Sequence, residues 1–533
     1  MPGWTFAEFW ERAADARPDA PFAMQGDRVI TWGDADRRAD GIAAALLAAG
    51  AQRQDKVAQY LYNSPEYLES QFACFKASLV PVNTNYRYTA DELLYLWDNA
   101  DAVAVVFHGT FVDTIEEIRD RLDKVQTWLW VDDGSGPCPA WAMPYEEAAA
   151  SETGGRVIPD HGRDGDDLYM LYTGGTTGMP KGVMWRQDDI VAVLGANFSA
   201  PLPADHDPAH LDAMFGQPGP RGMPACPLMH GTGGITAFST LTQGGCVVLL
   251  ADRHFDPTEL LDTIEHRAVN VIAIVGDAFA KPILGALDAE PDRWDLSSLL
   301  VIISSGVMWS EESKVGLLGH HPNMILQDAF SSSEALGMGV SVSGGGETAK
   351  TARFEAGPNT IVIDDLGERI TESGVVGRLA VGGRQPIGYY KDEEKSARTF
   401  LMIDGQRYSC PGDYATIGDD GKVAVLGRGS VCINSGGEKI FPEEVEEAAK
   451  TFDGVRDAVV VGVPHERFGE MVVAVAEPEG DNDIVEQELI EHVRGRLAAY
   501  KAPRRVIVVE TIGRAPNGKV DYKRLKALAT DRI

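Results

Sequence analysis

The residues with the clearest chemical use lie in one run, Tyr172–Gly182, which reads YTGGTTGMPKG. Thr173, Gly174, Gly175, Thr176, Thr177 and Gly178 lead through Met179-Pro180 to the ammonium of Lys181 and then Gly182. Glycines let successive backbone N–H groups turn toward one point, and such a nest accepts phosphate oxygens. The threonine hydroxyls add donors, and Lys181 adds charge for a polyphosphate. A strand is expected upstream over the apolar run Leu168–Tyr172, and a helix from Asp188 through Phe198. A strand therefore empties into a mobile glycine-rich loop. A Walker A loop fails on spacing, because Lys181 follows Pro180 and precedes Gly182. On this run alone, a glycine-rich surface turn stays open.

Composition narrows the classes. A chain of 533 residues, 44% hydrophobic and 24% charged, holds several globular units with a sizeable core. Its 48 basic and 80 acidic residues give a net charge of −32, which argues against a nucleic-acid partner. An anionic ligand must be met by local donors against that field. Six scattered cysteines without CxxC spacing point to reduced thiols and a cytoplasmic setting. The first residues, MPGWTFAEFWERAADARPDA, lack an apolar signal core, and no run approaches the roughly 18 apolar residues of a spanning helix. Membrane contact is at most peripheral, and the oligomeric state is open, with a homodimer among the choices.

The elements expected to position the loop alternate. An amphipathic helix over 5–16 precedes the strand VITW, a helix over Ala35–Ala49 and the strand VAQYLY. A helix over Glu66–Ala77 and strands at LVPVN, Val103–Phe107 and Thr127–Val131 continue a parallel, helix-covered sheet. Ser199–Gly222 is rich in Pro, Gly, Asp and His, and reads as an exposed connection or a rim over a substrate entrance. Strands at Gly245–Leu250, Val271–Val275 and Leu299–Ile303 exit at GDAF (Gly276–Phe279) and SSGV (Ser304–Val307). Ligands collect outside such carboxyl ends, so both exits are candidate pocket walls. Asp277 is the expected cap of a helix over Ala278–Leu287. Residues 357–421 read as a more antiparallel β subdomain. Beyond it, strands and helices alternate in a compact α+β unit of about 100 residues.

The loop closely resembles the phosphate-binding signature of the adenylate-forming superfamily: acyl-CoA synthetases, adenylation domains and beetle luciferases. Further segments match in order. CPLMHGTGG, Cys226–Gly234, is similar to a segment lining the acyl channel near the reacting carboxylate, with Met229 and His230 in it. DAFSSSE, residues 328–334, stands where the family reads aromatic-Gly-x-Thr-Glu. The resemblance implies Phe330 for adenine, Ser333 for the α-phosphate and Glu334 for Mg²⁺, with Asp328 and Ala329 beside them and Thr177 also toward the metal. Ser331 replaces the usual glycine. Asp413 of PGD and Arg428 match the ribose-binding pair, while Pro411 replaces a threonine. GRGSVCINSGGEK places the hinge at Ser430, where Lys or Asp is common, and adds Ser435, Gly436 and Gly437 to the nucleotide side. Lys519 of PNGK matches the C-terminal catalytic lysine.

The resemblance covers essentially the whole chain. It implies a large adenylation domain (residues 1–428) of parallel helix-covered sheets plus a β subdomain, and a small mobile α+β domain (429–533) carrying the lysine. Within the family the chain is most similar to actinobacterial-type synthetases for steroid side-chain carboxylates. The implied acyl pocket holds Met229, Gly276, Asp277, Phe279, Ser305, Gly306 and Met308. The implied activity is ATP-dependent: a bulky hydrophobic carboxylate, a steroid acid or a medium- or long-chain fatty acid, becomes an acyl-AMP and then a coenzyme A thioester. Transfer to a separate carrier protein, and a non-catalytic nucleotide-binding regulator, are the alternatives.

Overall fold

A computed structural model describes the chain except residues 1–2, 174–178, 197, 199–201, 203–205, 308, 436–437, 466–467, 481 and 516–517, with backbone only at 208, 210, 428, 430, 438 and 439. The N-terminal amphipathic run folds as the helix Phe6–Ala16, opened by Thr5, whose hydroxyl accepts from the Glu8 N–H. Its apolar face meets Phe72, Phe75 and Phe238 through Phe6 and Trp10, with ring centroids 4.8–5.9 Å apart. Such aromatic pairs add about 0.5–1.5 kcal/mol each beyond the area they bury.

Among the described residues one sheet has eight strands. Its order is Gly388–Tyr389, Lys181–Arg186, Leu168–Thr173, Val80–Asn83, Lys56–Tyr60, Ala102–His108, Thr127–Val131, Met143–Pro144. The second sheet has fifteen. It begins with Arg28–Thr31 and Pro21–Gln25. It then runs parallel through Cys246–Leu249, Arg221–Pro224, Val271–Ile274, Val301–Ser304 and Ile325–Ser332. From Ala335–Ser343 onward its strands are mainly antiparallel, and this is the expected β subdomain. The helix Pro65–Lys76 touches strands of both sheets, Pro21–Gln25 on one and Lys56–Tyr60 and Val80–Asn83 on the other. Every one of its residues is buried in consequence. Lys76 ends it with no exposure, neutralised by Glu11, Asp36 and Asp40 at 3.1, 2.7 and 2.8 Å.

Three local expectations are corrected. VITW does not start the parallel series: Arg28–Thr31 forms an antiparallel hairpin with Pro21–Gln25 at the edge of the other sheet. The strand Lys181–Arg186 intervenes before the helix, which spans Gln187–Gly195 and stops short of Phe198. Ser199–Gly222 is no simple connection, because Pro208–Phe215 is a helix with Leu211 and Phe215 in the core, and a strand begins at Arg221. The run DAFSSSE crosses a β-hairpin turn between Ile325–Ser332 and Ala335–Ser343.

The C-terminal part builds its own sheet of five strands among the described residues. Glu438–Ile440, Ile433–Ser435, Gly469–Pro478 and Val455–His465 lie in that order, and Arg505–Val508 joins Gly469–Pro478 in parallel. Two apolar clusters flank it, one under the helices Pro442–Lys450 and Glu486–Arg494, the other under Tyr522–Arg532. Tyr414 and Phe441, with centroids 5.4 Å apart, pack across the connection to the second sheet.

Candidate active site

Two paired strands bound the signature run. Leu168–Thr173 and Lys181–Arg186 pair antiparallel out to Thr173 opposite Lys181. Gly174, Gly175, Thr176 and Thr177 lie outside the described residues. Lys181 therefore stands on a strand, not in a loop, and its ammonium is paired with the Asp392 carboxylate. Asn83 fixes the other strand: its side-chain amide accepts from the Tyr172 N–H at 2.6 Å and donates to the Tyr172 carbonyl at 2.9 Å. The same amide donates to the Met229 carbonyl at 2.7 Å, tying the signature strand to the segment before the helix Gly231–Thr242.

The second wall is the hairpin turn at Ser333-Glu334. Trp185 donates its indole N–H to the Ser333 carbonyl at 2.9 Å, and Ser409 its hydroxyl to the Glu334 carbonyl at 2.7 Å. The Glu334 carboxylate accepts from the Tyr389 hydroxyl at 2.7 Å. The Ser333 hydroxyl lies over Gly231, at the start of the helix after His230. Ser331, in place of glycine, accepts from the Gly337 N–H at 3.0 Å and so braces the hairpin. Upstream on the strand, Asp328 is buried against Lys314 at 3.3 Å, and burial pushes its carboxyl up to about 6. Ala329 pairs with Val340 across the ladder. Phe330 is half-buried, tilted against Phe354 with centroids 5.3 Å apart.

Asp413 and Arg428 are direct cross-strand partners between Asp413–Ile417 and Val423–Arg428. Ser430 lies in the short 3₁₀ turn Gly429–Val431, which leads into the strand Ile433–Ser435 of the third sheet. Gly436 and Gly437 fall outside the described residues.

The third wall is formed by strand exits. Gly276 follows Val271–Ile274 with φ +54° and donates its N–H to the Ser304 hydroxyl at 2.9 Å. Gly306 follows Val301–Ser304 with φ +94°, and the Ser305 carbonyl accepts from Thr232 at 3.4 Å. Asp277 does not cap its helix; Gly276 takes the cap position, and Asp277 accepts instead from the Ser310 N–H and hydroxyl at 3.2 and 3.0 Å. Phe279 packs against Phe255 in the core beneath the second sheet, with centroids 4.6 Å apart. Met229 is buried in the core between the sheets. Met308 lies outside the described residues.

Onto these exits comes the C-terminal turn. A Cβ built on Gly518 would stand 3.3 Å from Val275 and Val307 and 3.4 Å from Ala278, so the residue before Lys519 is in contact with both exits. Burial, then the positive charges of Lys519 and Arg87, push the His230 imidazole down to about 3, so it is neutral. Lys519, His230, Ser333 and the two strand exits thus converge, although they come from five separate parts of the chain.

The description "AMP-binding enzyme" belongs to the family model matching residues 10–390, and "AMP-binding enzyme C-terminal domain" to the one matching 444–519. The chain belongs to the AMP-binding enzyme family. A medium/long-chain-fatty-acid–CoA/3-oxocholest-4-en-26-oate–CoA ligase of Mycolicibacterium smegmatis is 39% identical to this AMP-binding enzyme over 533 residues, covering 99% of this chain and 96% of that one. A 3-oxocholest-4-en-26-oate–CoA ligase of Rhodococcus rhodochrous is 39% identical over 532 residues, covering 97% and 94%. Among solved structures, ATP-bound MatB from Rhodopseudomonas palustris superposes with a TM-score of 0.79 at 24% identity over 100% of both chains. The anthranilate CoA ligase AuaEII with anthranoyl-AMP gives 0.83 at 19% identity, covering 100% and 98%. These likenesses show that the AMP-binding enzyme has the mixed α/β fold of those adenylating enzymes.

Three residues that hold the walls have no sequence signal of their own. Asn83 looks like a strand-end polar residue, Tyr389 like a buried aromatic, and Asp392 like the N-cap it also is, accepting from the Lys395 N–H at 2.9 Å. Their partners are distant in sequence, so spacing does not reveal them. Tyr389 and Asp392 sit in one short segment that contacts Glu334 and Lys181 together.

Proposed function

We propose that this AMP-binding enzyme is an ATP-dependent, AMP-forming acid–CoA ligase for a bulky apolar carboxylate, built as a large domain (1–428) and a mobile small one (429–533). The observation that carries the reading is the seating of the Gly518-Lys519 turn on the exits at Val275 and Val307, beside His230. In the first step the acid's carboxylate oxygen attacks the α-phosphorus, and pyrophosphate leaves. In the second, the coenzyme A sulfur attacks the acyl carbonyl, AMP leaves, and the thiol proton passes to solvent.

The roles follow from charge and position. Lys519 faces the α-phosphate as negative charge grows on its oxygens, with Ser333 donating from the opposite wall. Lys181, Thr173 and the loop at 174–178 hold the outer phosphates, and Asp413 and Arg428 hold the ribose. A single carboxylate at a turn, with one oxygen fixed by Tyr389, fits the donor set magnesium takes beside phosphates. Glu334 is the residue that would hold Mg²⁺, which neutralises phosphate charge when bound. His230 enters the site neutral, so it orients the substrate without adding charge. Rotation about Ser430 withdraws Lys519 and opens the thiol's route.

The relatives' names, for medium- and long-chain fatty acids and for 3-oxocholest-4-en-26-oate, support an apolar acid of that size. A Cβ on Gly306 would stand 3.7 Å from Thr232 and 3.8 Å from Val275, so a larger side chain there would fill the space beside that exit. The cytoplasm is the proposed compartment, in keeping with free thiols at Cys74, Cys138, Cys226, Cys246, Cys410 and Cys432. The test is Lys519→Ala. Pyrophosphate release should fall by about 100-fold or more, while thioester formation from supplied acyl-adenylate and coenzyme A stays near wild type. Equal loss in both steps would overturn the role of the turn.

A further inference from the structure

A lysine has four rotatable bonds, so its ammonium is placed only as well as its backbone is held. The turn carrying Lys519 closes on itself, with the Gly518 N–H donating to the Ala515 carbonyl at 2.8 Å and the Ala515 N–H to the Lys519 carbonyl at 2.9 Å. Two further contacts reach it from outside. Arg514 donates Nε and Nη2 to the two Asp457 oxygens at 2.5 and 2.9 Å, which fixes the guanidinium plane. The remaining nitrogen, Nη1, donates to the Gly518 carbonyl at 3.0 Å, the peptide group directly before Lys519. On the far side, the Tyr522 hydroxyl donates to Glu446 at 3.0 Å, and the same Glu446 oxygen accepts from the Val460 N–H at 2.9 Å.

Asp457 and Val460 lie on the strand Val455–His465, and Glu446 on the helix Pro442–Lys450 packed against it. Both flanks of the turn are therefore tied to one rigid corner of the small domain. We propose that Asp457, Arg514, Glu446 and Tyr522 are positioning residues that fix the Lys519 turn for the adenylation step and are dispensable for thioester formation. The inference rests on the acid–CoA ligase reading.

The interactions are of the strong kind. Arg514 and Asp457 side chains are each 18% exposed, and their pair is a two-pronged, charge-assisted one. Burial alone would raise the Asp457 carboxyl, but the hydrogen bonds and charge of Arg514 outweigh it and hold it below the usual range. Lys450, 3.9 Å from Asp457, adds to the same charge balance. A turn held only for stability needs no guanidinium aimed at the carbonyl beside the reactive residue. The brace matters while Lys519 sits on the α-phosphate, and it has no task once the turn has left.

The experiment compares Arg514→Lys, Asp457→Asn and Tyr522→Phe with wild type in two assays, ATP–pyrophosphate exchange with palmitate and thioester formation from supplied palmitoyl-AMP and coenzyme A. A misplacement of about 1 Å costs roughly 100-fold, so exchange should fall about 10- to 100-fold in the first two variants and less in the third. Thioester formation should stay within about threefold, since no transition-state contact of that step is removed. Asp457→Glu should recover part of the exchange. Equal loss in both assays, or unchanged exchange in a folded variant, overturns the proposal. If Asp457→Asn unfolds, Arg514→Lys, which keeps the charge and a single-point pair, decides. Wild-type exchange without thioester formation would instead count against the ligase reading, and the exchange assay would still judge the brace.

Discussion

His108 shows how a single buried group sets a property of the protein. It ends the strand Ala102–His108, is buried, and accepts from the Tyr62 N–H through Nδ1 at 3.1 Å. Burial pushes its imidazole down to about 4, against 6.5 when exposed. Between those values the unfolded chain takes up a proton that the folded one refuses, so stability falls as pH drops from about 6.5 toward 4 and is flat above. Moving from pH 7 to pH 5 should cost about 2 kcal/mol through this residue. His108→Asn keeps an acceptor for Tyr62 and cannot titrate, so its urea midpoint should shift less with acid than that of wild type. Equal shifts in both proteins would show that His108 is not the group responsible. His108 itself was not marked by any motif, whereas Lys519, Glu334 and Asp413 were, because each sits in a short run of unusual composition. Asn83, with partners 89 and 146 residues away, could be found only from the fold.

At the scale of elements, strands and helices with clean periodicity are legible: Thr127–Val131 to the residue, and Pro65–Lys76 within one. The strand Lys181–Arg186 was missed because KGVMWR carries three large apolar residues between charges and runs straight into a helix. The edge hairpin was assigned to the wrong sheet because strand partnership across 200 residues leaves no local trace; Ala23 pairs with Val247. The 3₁₀ turn Gly429–Val431 is the element that joins the second sheet to the third. Proline at its centre fixes φ and removes an N–H, so Ser430→Pro should slow the proposed rotation of the small domain. Thioester formation in steady state should fall about tenfold or more, with pyrophosphate exchange within about threefold. Full steady-state activity would move the hinge elsewhere.

For the whole molecule, a net charge of −32 would repel ATP if it were spread evenly. The fold answers locally at the strand exits, where the turn before Lys519 touches Val275 and Val307 and the positive charges of Lys519 and Arg87 reach His230. Family, fold and chemistry were legible because five segments keep their order along the chain. The acid is harder to read: pocket walls are made by side chains from several strands, and Phe279, expected at the wall, is packed into the core against Phe255. No helix among the described residues is long and apolar enough to cross a membrane.

The central claim is tested most directly by following products from purified protein with MgATP, coenzyme A and a series of acids: 3-oxocholest-4-en-26-oate, palmitate, octanoate, benzoate and acetate. AMP, pyrophosphate and acyl-CoA should appear in equal amounts. Each added buried methylene contributes about 0.8 kcal/mol, so the steroid acid or palmitate should exceed acetate in kcat/KM by orders of magnitude. ADP as the nucleotide product, pyrophosphate release without thioester, or benzoate or acetate as the best substrate would contradict the account.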